Sequence, residues 1–205
     1  MILLAACLTP APEGLRLDTL PSGPGVTTYV MHDGAEDVTR TETRVAIEDA
    51  EHCRGRALEV WTDHGFSRTG SRTCTTEDSV GHYAFNDGLD WTFYATKTEL
   101  RDGLRVGETW AATHGNEGNR NERTCRAEKS PFCRDGLATA CTTRWDKSMV
   151  WIRQHWCPEG GWRGMEARVW RDGSLSMTTW TTDVVVDGVA LDNVAMSRRP
   201  FAVVD

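Results

Sequence analysis

A chain of 205 residues makes one domain of ordinary size or two small ones. Hydrophobic residues at 39% and charged residues at 26% give the composition of a folded protein, not of a disordered one. A formal net charge of −7 argues against nucleic-acid binding, which needs a basic face. No apolar run reaches the ~18–20 residues of a membrane-spanning helix.

In chain order, the first feature is the apolar start Met1-Ile2-Leu3-Leu4-Ala5-Ala6-Cys7. Its last four residues, Leu4-Ala5-Ala6-Cys7, resemble the lipobox of bacterial lipoproteins, where small residues let a signal peptidase cut and the cysteine thiol carries a diacylglycerol. The Pro-rich run Thr9-Pro10-Ala11-Pro12-Glu13-Gly14 suits a tether behind such an anchor. A positive segment and a full apolar segment would precede a lipobox, so residues 1–7 read as a truncated lipoprotein signal ending at a lipidated Cys7. The resemblance implies attachment to a membrane through the lipid and a place in the bacterial cell envelope. Leu8 follows the cysteine. By the same resemblance, a residue other than Asp there favours the outer membrane, with the domain facing the periplasm or the cell surface. Residues 8–26 are then a flexible tether, and 27–205 a single domain.

From Thr27 onward, short runs rich in Val, Thr, Trp and Tyr alternate apolar and polar positions. They are Thr27–Met31, Arg44–Ile47, Ala57–Thr62, Trp91–Thr96, Ala138–Trp145, Met149–Trp156, Glu166–Trp170 and Thr178–Val186. A period of two marks a strand with one buried face. Between the runs stand Asp33-Gly34, Asp87-Gly88, Asp102-Gly103, Asp135-Gly136, Gly160-Gly161, Asp172-Gly173 and Asp187-Gly188. Asp-Gly supplies the positive φ angles of tight hairpins. The nearest approach to a helical period, Thr41–Arg54, reads better as strand and loop, because Val45 and Ile47 alternate with Arg44 and Glu48. The expected class is all-β, an antiparallel meander of roughly ten to twelve strands.

A weak internal repeat divides the domain. Thr28-Tyr29 matches Thr109-Trp110, Gly34 and Glu36 match Gly115 and Glu117, Cys53-Arg54 matches Cys133-Arg134, and Asp87-Gly88 matches Asp172-Gly173 at nearly constant spacing. Two repeat-like halves, 27–100 and 108–186, are expected to form a curved sheet, a half-barrel or a sandwich. Six cysteines follow Cys7: Cys53, Cys74, Cys125, Cys133, Cys141 and Cys157. An even set in an oxidising compartment reads as three disulfides. No C-x-x-C or H-x-x-x-H spacing favours zinc. The repeat selects Cys53–Cys74 and Cys133–Cys157, which leaves Cys125–Cys141. The rival scheme is Cys125–Cys133 with Cys141–Cys157.

Leu104-Arg105-Val106-Gly107-Glu108-Thr109-Trp110 resembles a strand entry of uncharacterised periplasmic lipoproteins, some of which wrap a helix or a lipid in a half-barrel. The likeness implies a carrier of lipid or lipoprotein and lends no functional residue. The chain holds no G-x-S-x-G and no phosphate loop, and no catalytic residue or cofactor is expected. His32 and His114 stand in equivalent turns that would bind a metal only if the turns met. The stretch Asn116–Glu122 and the group Asp183, Asp187, Asp192 and Asn193 are oxygen-rich. Exposed turns and solvated loops are the simpler reading, and no metal is expected. Tryptophans crowd the second half. Trp145, Trp151, Trp156, Trp162 and Trp170, with Arg153 and Arg163, form the candidate ligand face, suited to a glycan, a lipid or an envelope protein. Core packing is the competing fate of the same rings. The expected function is a lipid-anchored, non-enzymatic binding or structural module of the cell envelope. A lipid or lipoprotein carrier and an envelope hydrolase with a carboxylate site are the alternatives.

Overall fold

A computed structural model describes residues 14–17, 23–33, 36–65, 67–116, 119–133, 135–145, 147–157 and 161–191, apart from the side chains of 112–116, 119–120 and 145. The lipobox with Cys7 and residues 8–13 and 18–22 of the stretch before β1 lie outside the described residues. The elements are strands: β1 (Gly25–His32), β2 (Asp37–Ile47), β3 (Arg56–Asp63), β4 (Arg68–Thr75), β5 (Ser79–Asn86), β6 (Trp91–Arg101), β7 (Thr109–Asn116), β8 (Asn119–Lys129), β9 (Leu137–Trp145), β10 (Ser148–Cys157), β11 (Gly161–Arg171), β12 (Ser174–Val186) and the short β13 (Val189–Ala190). Thr41–Arg54 is strand as far as Ile47 and loop from Glu48.

All of them belong to one antiparallel sheet. Its order is β6-β5-β4-β3-β2-β1-β12-β11-β10-β9-β8-β7, with β13 added to β12. Two six-strand meanders, β1–β6 and β7–β12, are thus joined edge to edge through the β1–β12 pair. The turns work as Asp-Gly chemistry requires. Asp172 and Gly173 (φ 49° and 80°) link β11 to β12, and Asp187 and Gly188 (φ 48° and 82°) link β12 to β13. Two successive positive φ angles give a hairpin whose twist matches that of its strands.

Register assigns the faces. Tyr29 pairs with Arg40, Thr27 with Glu42, and Glu42 with Thr62, so their side chains share one side. The same side carries Val60 and Ser71, and on the other half Cys141, Ile152 and Ala167. This side is concave. Glu99 of β6 reaches Arg123 of β8 and Gln154 of β10, and Tyr29 of β1 meets Trp162 of β11. Such contacts bypass intervening strands, which a flat sheet does not permit. The edge strands β6 and β7 come together beside the turn 102–108, where Leu100, Leu104, Trp110 and Cys125 share a cluster. They are not ladder neighbours, so the sheet curls towards a barrel and stays unclosed.

The connections alternate between two ends. One end has tight turns. The other has the longer loops 48–55 and 130–136, each folded onto the convex face and stapled there by Cys53–Cys74 or Cys133–Cys157. Cys125–Cys141 joins directly opposed residues of β8 and β9 on the concave side. This is the pairing that the repeat selects.

Part of the stretch read as a flexible tether is fixed. Leu15 N donates to Leu104 O (2.9 Å), Gly103 N donates to Leu15 O (2.9 Å), and Leu17 N donates to Asp102 Oδ1 (3.0 Å). Leu15 and Leu17 are buried with Leu100, Leu104 and Trp110, closing the looped end of the concave space. Burial of a leucine side chain is worth about 1.5–3 kcal/mol, enough to dock a short segment. The i, i+2 leucine spacing was the signal that the Pro/Gly composition masked. The tether reading is further shortened by β1, which begins at Gly25.

Candidate functional site

The concave face surrounds a two-sided space. Val150, Ile152, Met165 and Val169 of β10 and β11 form an apolar wall. Val60, Thr62, Thr69, Ser71 and Thr73 of β3 and β4 form a wall rich in hydroxyls. All nine keep part of their surface accessible. In a close-packed core, the inner side of a central strand would be sealed. Here these residues are half-buried, so packing does not seal the concave face between the two walls. Eight strands already leave room for side chains or one small ligand, and a curl of twelve leaves more.

Two charged groups sit on this face. In the first, Glu99 accepts from Arg123 Nη2 (2.6 Å) and Gln154 Nε2 (3.1 Å) and pairs with Lys97 Nζ (3.2 Å). Glu99 and Arg123 are only 3% and 2% exposed. The network ties β6 to β8 and β10 where the sheet edges lack a ladder. Burial holds the His82 imidazole below its ordinary value, against the pull of Glu99. Burial and the Glu99 charge push the Tyr94 hydroxyl up to about 12. In the second group, Tyr29 Oη donates to Glu42 Oε1 (2.9 Å), Arg44 Nη1 donates to Thr27 Oγ1, and Arg40 stands directly across from Tyr29. Burial, then Glu42, pushes the Tyr29 hydroxyl well above its ordinary value. Burial also raises the Glu42 carboxyl, although Tyr29 and the two arginines oppose it.

On the convex face, under the loop 130–136, three side chains line up in the order nucleophile, base and acid. Ser130 Oγ lies 3.3 Å from His155 Nδ1, and His155 Nε2 lies 3.7 Å from Glu166 Oε1. The hydroxyl is out of reach of a substrate. Ser130 and His155 are 1% and 2% exposed, and the Phe132 ring packs edge-on against the imidazole at 4.5 Å. Cys133–Cys157 fastens the loop above them. Arg153 completes an anchor by pairing with Glu166 (3.3 Å) and Glu128. Burial holds the His155 imidazole below its ordinary value, outweighing Glu166. Burial alone would raise the Glu166 carboxyl, but His155 and Arg153 hold it below the usual range.

These shifts set a pH dependence. His82 and His155 resist protonation in the fold and accept it in the unfolded chain below about pH 6.5. The unfolded chain then binds more protons, and the stability they contribute is lost as pH falls through that value. Glu42 acts in the opposite sense, because the fold keeps its proton where the unfolded chain has released it. Comparison with a variant cancels that term. Between about pH 7.5 and 5.5, the urea midpoint of the wild type should fall further than that of the double variant His82→Gln/His155→Gln. Equal changes would contradict the assignment.

The tryptophan candidates divide between the two sides. Trp156 and Trp162 are concave; Trp156 Nε1 donates to Thr139 Oγ1 (3.3 Å), and Trp162 meets Tyr29 edge-on at 5.2 Å. Trp151 and Trp170 are convex, Trp151 lying under the Arg168 guanidinium at 5.5 Å. Arg153 is convex and ion-paired, and Arg163 is the extra residue of the bulge opposite His155 and Trp156. The side chain of Trp145 lies outside the described residues. His32 is engaged by Asp37, by Thr182 Oγ1 (2.8 Å) and by stacking on Trp180. The His114 side chain, Glu117, Gly118, Asp192 and Asn193 lie outside the described residues, while Asp187 accepts from Val26 N (2.6 Å). Among the described residues no group of three or more metal-ligating side chains gathers.

Sequence reasoning missed the main aromatic–arginine assembly. On the convex face of the first half, Arg68 stacks on Trp61 (4.6 Å), Trp61 meets Trp91 (5.5 Å), and Arg72 lies over Trp91 (4.4 Å) and Phe93 (5.6 Å). Both arginines are ion-paired, Arg72 with Asp49 and Glu59 and Arg68 with Asp63. The assembly braces the stapled loop 48–55, and its members come from three strands, so no local spacing announces it. No protein-family model, no curated protein and no solved structure matches the chain, and the functional argument rests on this geometry.

Proposed function

We propose that the protein is a lipid-anchored, non-enzymatic binding module of the cell envelope that carries an amphipathic molecule against the concave face of its sheet. The observation that supports this is the two-sided concave face, an apolar wall and a hydroxyl wall whose residues are only half-buried. An alkyl chain laid along Val150, Ile152, Met165 and Val169 gains about 0.8 kcal/mol per buried CH2, while a polar portion meets the hydroxyls of Thr62, Thr69 and Ser71. Three disulfides suit an oxidising compartment such as the envelope, in keeping with the resemblance at Cys7. The convex face carries Glu59, Arg72, Glu128, Arg153, Glu166 and Arg168. Facing lipid, an arginine costs about 2–4 kcal/mol at the bilayer midplane, so these charges favour attachment through a lipid over strands that span the membrane. A purely structural role has less support, since a scaffold gains nothing from leaving the apolar wall of the concave face incompletely packed.

Titration with the fluorescent fatty acid cis-parinaric acid tests the reading. Saturable binding at one site per chain is expected. Ile152→Trp, which fills the space, should weaken it by about tenfold or more, equivalent to 1.4 kcal/mol. Absence of saturable binding, or binding indifferent to that substitution in a folded variant, would overturn the proposal.

A further inference from the structure

Leu15, Arg16 and Leu17 form a short strap across the looped end of the concave side. Alternation turns the two leucines inward, where they are buried with Leu100, Leu104, Trp110 and Leu137, and leaves Arg16 exposed. The same cluster holds Cys125, Ala127 and Cys141, with Trp156 packed against it. Cys141 stands directly across the ladder from Ile152 of the apolar wall. The strap thus fills the end of the surface that a carried alkyl chain would follow.

Its attachment is narrow. Leu15–Leu104 is an isolated bridge outside the strand ladders. The backbone hydrogen bonds of Leu15 and Leu17 to Asp102, Gly103 and Leu104 fall on a single turn, at the place where β6 and β7 meet without a ladder. The three disulfides staple other segments. Beside the strap opens a cleft of about 820 Å3, lined by Arg16, Leu17, Arg54, Arg56, Glu77 and Asp78. Clefts of this size hold whole ligands, so the strap has room to move outward without breaking a ladder. Its polar backbone would meet water and charged side chains there.

We propose that the Leu15–Leu17 strap is a built-in competitor of the carried molecule, filling the looped end while the protein is empty and leaving it when an alkyl chain arrives. This rests on the carrier reading and adds the regulation of the same face. Apolar burial is non-directional, so one apolar occupant can exchange for another of similar area. Each leucine side chain carries four apolar carbons, and roughly eight carbons of an alkyl chain bury as much as the pair. A competitor of this kind lowers the apparent affinity by the fraction of molecules whose end stands open. Removing the leucines removes that penalty.

Amide hydrogen exchange on the full chain, read with and without saturating cis-parinaric acid, tests displacement directly. The amides of Leu15, Leu17 and Gly103 are the donors that hold the strap. Their exchange should quicken about tenfold or more on saturation, while the amides of β10 and β11 stay as protected as before. In Leu15→Ala/Leu17→Ala, with folding checked by circular dichroism, cis-parinaric acid should bind about tenfold more tightly than in the wild type. Exchange at Leu15, Leu17 and Gly103 that is unchanged or slowed by the bound acid would make the strap a fixed part of the fold and overturn the proposal, with the carrier reading left standing. Equal or weaker binding by the folded variant would do the same. Absence of saturable binding in both proteins would overturn the carrier reading itself.

Discussion

Reduction of the three disulfides is expected to unfold the protein. Cys53–Cys74, Cys125–Cys141 and Cys133–Cys157 span sequence separations of 21, 16 and 24 residues. In the chain-entropy treatment, each cross-link of this length contributes about 3 kcal/mol by restricting the unfolded chain. The whole stability of a domain is only about 5–15 kcal/mol, so loss of all three approaches the total. The architecture sharpens the dependence. The edges β6 and β7 are not paired, and two of the cross-links hold loops that would otherwise leave the convex face. Urea unfolding with and without a phosphine reductant reads the effect. A native-like transition at an unchanged midpoint after complete reduction would contradict it. The double variant Cys133→Ser/Cys157→Ser should cost about 3 kcal/mol and open the loop over Ser130 and His155.

Glu99→Met is expected to be the most damaging single substitution on the concave face. It leaves Arg123, 2% exposed, without the carboxylate that holds it at 2.6 Å. Breaking a buried ion pair by removal of one partner typically costs about 3–5 kcal/mol, while replacing both partners with apolar side chains costs far less. Chemical denaturation should therefore find Glu99→Met/Arg123→Met more stable than Glu99→Met alone. Lys97 softens the loss little, because its own ammonium is more exposed and can turn to water. A single variant as stable as the wild type would mean that the network does not secure the sheet edges.

Local chemistry made much of this fold legible. Alternation in Thr27–Met31 gives β1 with Thr27, Tyr29 and Met31 buried, and Asp172-Gly173 gives a hairpin because an Asp-Gly pair tolerates two positive φ angles. The equivalence of Cys53 and Cys133 selected the disulfides because a cross-link occupies matching places in β1–β6 and β7–β12. The β1–β12 junction was beyond reach, since pairing of strands so distant in sequence leaves no local mark. The tryptophan row dissolved for a geometric reason. Trp151 and Trp156 are an odd number of positions apart on one strand, and a period of two sends them to opposite sides. The polar wall was hidden by a chemical ambiguity. Thr62, Ser71, Arg40 and Glu42 look like the solvent-facing half of their strands, and a sequence does not distinguish bulk water from an interior that admits it.

The central claim is that the ligand sits on the concave face. A stearic acid spin-labelled near its methyl end, added at one equivalent to methyl-labelled protein, tests this by paramagnetic broadening in NMR spectra. The methyl signals of Ile152 and Met165, on the concave wall, should fade, while those of Ile47 and Met149, on the convex face, persist. Broadening of Ile47 and Met149 with Ile152 and Met165 spared would place the ligand outside the sheet and contradict the account.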